Sequence, residues 1–160
     1  MKIKTTNIAF FTFAIVIIIA AYFFFQHKLL PGRKDVISCQ SRHTLIHGDF
    51  ELHANYAFTF NGNKGELSIS GITTEGGKHF QISRAIYFSY LKSNNTYTLK
   101  SQHIENLSAD KSLDSNINRH FPSFFYEPEK NITLKIMDDK YHNKVIFLYN
   151  MPLYYCNVRV

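Results

Sequence analysis

At 160 residues and 18.7 kDa the chain has room for one domain with a core of its own. Its formal charge of +6 suggests an anionic partner, but five of the eighteen basic residues, Lys2, Lys4, Lys28, Arg33 and Lys34, precede the first acid, Asp35. From Asp35 onward thirteen Lys and Arg face twelve Asp and Glu, and nowhere in the chain do more than two basic residues stand side by side. This excludes the clustered cationic surface that nucleic-acid binding requires.

Residues 1–7 form a short basic start. The run IAFFTFAIVIIIAAYFFF, Ile8 to Phe25, then carries no charge. As a helix it would reach roughly 27 Å, close to the thickness of a bilayer's hydrocarbon core. Ala20-Ala21 offers a crude cleavage site, but the apolar run continues through Tyr22 to Phe25, so the expectation is an uncleaved transmembrane signal anchor rather than a signal peptide. Positive charges on the two sides nearly balance and leave its orientation open. Residues 26–35 read as a polar linker, broken at Pro31-Gly32.

From residue 36 to 160 the period is two. A short strand near Cys39 to His47 precedes DFELHANYAFTF, where Phe50, Leu52, Ala54, Tyr56, Phe58 and Phe60 share one face of an extended chain. NGNKG and TTEGGK are turns on either side of ELSISGI. HFQISRAIYFSYL then places Phe80, Ile82, Ile86, Phe88 and Tyr90 on one face, with Arg84 interrupting it. TYTLKSQHIE completes an antiparallel meander of four strands.

Between Ser108 and Phe121 the recurrence of Leu113, Ile117 and Phe121 fits a short amphipathic helix ending before Pro122, or a long polar loop. SFFYEPEK follows as a loop whose aromatic cluster, Phe124, Phe125 and Tyr126, reads as exposed and as a contact for a partner. NITLKIM, KVIFLYN and PLYYCNVRV supply further extended segments, for seven or eight strands in all.

The only two cysteines, Cys39 and Cys156, have no metal-type spacing, and suit either inert buried positions or one disulfide. The disulfide is the expectation. It would place residues 36–160 in an oxidising compartment and hold the first strand beside the last. A closed or strongly curled barrel follows. Its inner rings, Phe58, Phe60, Phe80, Phe88 and Tyr90, either fill it or line a cavity for an apolar ligand.

Eight His residues invite a metal reading, above all His43 and His47, but that stretch is extended and no thiol or carboxylate completes a site. Acid sensing is the softer possibility, since His titrates near neutral pH. No Gly-x-Ser-x-Gly elbow, phosphate loop or HExxH motif is present, so no catalytic residue, metal or cofactor is expected.

The layout of a basic start, one anchor, Cys39 soon after it, a β-rich domain and a terminal YYCNVRV resembles the FidL-like family of small bacterial inner-membrane proteins. The resemblance implies a cytoplasmic N-terminus, a single span and a periplasmic β domain. Members typically lie beside ToxR-like transmembrane transcription regulators. By further analogy they look like ToxS-type accessory proteins, whose lipocalin-like barrels can hold bile-salt-like ligands. The function so implied is an interaction protein that stabilises or tunes such a regulator through edge strands or the Phe124 to Tyr126 cluster. The alternative is a stand-alone periplasmic barrel for a bile-salt or fatty-acid-like molecule.

Overall fold

Alternating apolar residues leave each strand one face to bury, and here eight strands bury theirs against one another. The computed structural model describes residues 13–23 and 36–158, which fall in two compact units, Met1–Lys34 and Asp35–Val160. Residues 13–23 of the first unit are helical. Among the described residues no helix is long and apolar enough to cross a membrane. The remainder of the expected span, residues 8–12 and 24–25, lies outside the described residues, as do segment 1–7 and the linker through residue 35.

The second unit is a closed antiparallel barrel with its strands in sequence order. They are β1 Ile37–His47, β2 Phe50–Asn61, β3 Lys64–Glu75, β4 Lys78–Ser93, β5 Thr96–Asn106, β6 Asn131–Asp138, β7 Lys144–Leu148 and β8 Met151–Val158. The β3–β4 turn, Gly76-Gly77, has φ of +55° and +75°, the conformation that a tight two-residue hairpin demands and that glycine adopts without strain. Gly71 faces Ala54 where β2 and β3 approach closely. An added Cβ would lie 2.1 Å from the His53 carbonyl oxygen, so only glycine permits that approach.

The barrel closes where Cys39 pairs with Val158 and Gln40 with Asn157. Among the described residues these two pairs form the seam, and a disulfide between Cys39 and Cys156, Cα atoms 5.3 Å apart, reinforces it. The interior is filled by rings. Phe60 meets Phe88, Tyr90 and Tyr97 at centroid distances of 5.2 to 5.4 Å, and Phe58 lies beside Phe60 and Tyr154. Eight strands enclose just enough space for such a core or for one small guest.

One end of the barrel carries only hairpin turns and the ends of the domain. The other is crossed by residues 107–130, which join β5 to β6. Here the amphipathic helix expected over Ser108 to Phe121 is corrected. The segment forms three short 3-10 turns, Ser112–Ser115, Ile117–Arg119 and Ser123–Phe125. Asn116 takes a left-handed φ of 51° between the first two and interrupts any continuous helix, so Leu113 faces solvent while Ile117 is buried.

Both ends of this cover are clamped. At its start Arg84, inward-facing and 2 % exposed, donates from Nε to Asp110 Oδ2 at 3.1 Å and from a terminal nitrogen to Ser112 Oγ at 2.5 Å. Asp110 also accepts from the Ser83 and Ser112 amides. Burial pushes the Asp110 carboxyl up, but the bonds from Ser112 and Arg84 outweigh it and hold the pKa below its ordinary value. At the far end Ser101, inward in step with Tyr97 and Leu99 and next to the bulge in the β4–β5 pairing, donates from its hydroxyl to the Glu127 carbonyl at 2.7 Å and accepts from the Lys130 amide at 3.0 Å.

Two outcomes follow. Reducing the disulfide removes the cross-link of a loop spanning 117 positions, and chemical denaturation should show a loss of up to about 4 to 5 kcal/mol. Unchanged stability after confirmed reduction would mean that the seam holds by itself. Arg84→Met strands the buried Asp110 carboxylate and should cost about 3 to 5 kcal/mol, part of which Asp110→Asn restores in the double variant. Simple additivity of the two changes would show that the pair is not coupled.

Candidate ligand cavity beneath the cover

Under the middle of the cover the packing is incomplete. A cavity of about 120 Å³ is lined by His43 and Leu45 of β1, Tyr56 of β2, Leu148 of β7, Leu153 and Tyr154 of β8, and His120, Phe121, Pro122 and Phe125 of the cover. No Lys, Arg, Asp or Glu faces it. The β-strand residues reach it because they lie toward the covered end of the barrel, whereas Phe121 and Phe125 stack on each other at 5.0 Å to form part of the roof.

Its polar groups are few and poorly paired. Tyr56 is fully buried, and its hydroxyl interacts with the Tyr154 phenol, whose ring lies 4.6 Å away, but falls short of full hydrogen-bond geometry, so its bonding capacity is largely unused. His43 Nδ1 is likewise buried and unpaired. The His43 ring contacts both tyrosines, at centroid distances of 6.0 and 5.3 Å. An unpaired hydroxyl in an apolar setting costs on the order of 1 to 3 kcal/mol. Such groups call for a reason, and a ligand that pairs them supplies one.

Burial pushes the Tyr56 and Tyr154 phenols well above their ordinary range, so both are neutral hydrogen-bonding groups. Burial also lowers the His43 imidazole below its usual 6.5. His120, at the edge of the cavity, is lowered first by burial and then by His47 and Arg119, with Glu75 opposing. It stacks on Phe50 at 3.9 Å and its Nδ1 lies 3.0 Å from that of His47, so one of the two nitrogens carries the shared proton.

The expected site residues fall elsewhere. Phe58, Phe60, Phe88 and Tyr90 pack within the barrel, and Phe80 is half-buried at the start of β4. The exposure expected of the Phe124 to Tyr126 cluster is corrected: Phe124 and Phe125 are 1 % and 4 % exposed, because the last 3-10 turn drives them under the cover, and only Tyr126 remains partly accessible. Closure of the barrel also removes the free first and last strands considered as contacts. His43 does not meet His47, and among the described residues no three metal-ligating side chains gather. Sequence reasoning missed Leu153, Tyr154 and His120. The signal for Tyr56 was its place in the inward series of β2, but nothing in that series separates a lining residue from a filling one.

Because the unfolded chain binds protons near pH 6.5 that folded His43 and His120 resist, stability should fall as pH drops below about 6.5. Denaturant midpoints between about pH 7.5 and 5.5 should therefore decline, and decline less in His43→Gln. An identical slope in that variant would remove His43 from the account.

Comparison with known proteins places residues 37–156, nearly the whole barrel, under the family model described as the YqeJ C-terminal domain. No curated protein and no solved structure matches the chain.

Proposed function

We propose that this chain, which belongs to the YqeJ C-terminal domain family, is a membrane-anchored, non-enzymatic binding module whose barrel takes up an apolar small molecule at its covered end. The observation that carries this reading is the pairing of an uncharged, mostly apolar cavity with two buried polar atoms that the protein leaves unpaired. A few placed polar groups in an apolar enclosure are the usual anatomy of a small-molecule site. No cofactor or metal enters the reading.

A ligand that binds only the folded barrel stabilises it by mass action. The full chain in lipid nanodiscs should therefore melt at higher temperature with at least one member of a panel of hydrocarbons, phenols, fatty acids and bile salts. Leu153→Trp, which fills the cavity from a partly exposed position, should abolish the shift. Absence of a shift across the panel would overturn the reading.

A second reading draws on the outer face of β6 to β8. Register aligns Met137, Val145 and Tyr155 in one row across three strands, with Met137 and Tyr155 37 % and 50 % exposed and the Phe147 side chain beside them. An apolar row of this kind suits a protein contact. In a FidL-like inner-membrane protein with a periplasmic barrel, the partner would be a ToxR-like one-span regulator, stabilised or tuned by the contact. A photo-crosslinker at Val145 should capture such a regulator from native membranes. Its absence among the crosslinked products, with Val145 and outward Thr133 giving the same pattern, would count against this reading.

A further inference from the structure

We infer that the cavity beneath the cover selects an uncharged, single-ring aromatic molecule bearing one hydroxyl, a phenol or aryl alcohol, with the hydroxyl set between Tyr56 and His43. The inference rests on the reading of the barrel as a small-molecule module and narrows it by size, charge and hydrogen-bonding capacity.

Size comes first. The cavity holds about 120 Å³, the scale of the roughly 150 Å³ engineered cavity that takes up benzene. Drug-sized ligands need about 300 Å³ or more, so a sterol nucleus or a long acyl chain does not fit. The lining favours a ring, because Tyr56, Tyr154, Phe121, Phe125, His43 and His120 offer aromatic edges and faces from both the strands and the cover.

Charge comes second. With no Lys, Arg, Asp or Glu on the walls, a carboxylate would be buried without a counter-charge. Burial lowers the pKa of both wall histidines, His43 and His120, so both imidazoles are neutral near pH 7 and neither gives an anion a counter-charge.

Hydrogen bonding sets the last requirement. The Tyr56 hydroxyl can donate or accept, and His43 Nδ1 does one or the other according to its tautomer. A hydroxyl on the guest does both, so it can meet the two unpaired atoms together in either tautomer. A bare hydrocarbon would fill the volume and leave both unpaired.

The test is ligand titration of the full chain in nanodiscs, with empty nanodiscs as the partition control. Phenol, toluene, benzoate, decanoate and deoxycholate serve as probes. Phenol should bind about five-fold more tightly than toluene, the scale of one net hydrogen bond, and benzoate should not bind. Tyr56→Phe deletes a hydroxyl whose contact with the Tyr154 phenol falls short of full hydrogen-bond geometry. It should fold normally by circular dichroism, lower phenol affinity to the toluene level and leave toluene unchanged. Equal binding of phenol and toluene, or no effect of Tyr56→Phe on phenol, would overturn the inference. Binding of decanoate or deoxycholate alone would also overturn it while leaving the broader small-molecule reading in place. Failure of all five probes would overturn both.

Discussion

Arg84 points into the barrel, and a guanidinium there, away from water, must find its partners inside. It finds them in residues 26 and 28 positions further along, Asp110 and Ser112, at the start of the crossing segment. With both charged side chains only 1 % exposed, neither ion has solvent to fall back on. Replacing both members of a buried pair with apolar residues is often close to neutral, but leaving either alone is expensive. The pair therefore fixes where the cover begins, and the cover's position decides what the end of the barrel encloses.

The two ends of the barrel are fastened by different chemistry. Near the ends of the domain, Cys39–Cys156 locks the seam between the first and last strands. At the covered end there is no covalent bond. The clamp consists of the Arg84 and Ser101 networks, and the span between them dips into the core through Ile117, Phe124 and Phe125. Between those anchors the cover arches over Tyr56 and Tyr154 and leaves space beside them. A site roofed by a clamped but non-covalent segment has an obvious route for exchange with solvent, which a fully laddered barrel wall lacks.

Period-two alternation made the strands legible, and the two cysteines in the first and last of them made closure legible. Arg84 was visible as an interruption of an apolar face, but its partner was not. Asp110 lies in a segment whose spacing of Leu113, Ile117 and Phe121 mimics a helix, and the break depends on one backbone angle at Asn116. Phe124 and Phe125 sit among polar residues and so look exposed, because burial by a crossing segment leaves no periodic trace. The cavity was least legible of all. Whether the inward tyrosines and phenylalanines fill space or line it depends on how rings from five elements interdigitate, and alternation within one strand carries no information about that.

The central claim is that the buried Arg84–Asp110 pair positions the cover, and through it the cavity. Amide hydrogen exchange on the full chain, compared between the native protein and Arg84→Met, tests this most directly. The account predicts that protection falls first across residues 107–130 while the long β2–β3 and β3–β4 pairings keep theirs. Protection that is unchanged in the cover, or lost evenly throughout the barrel, would contradict it.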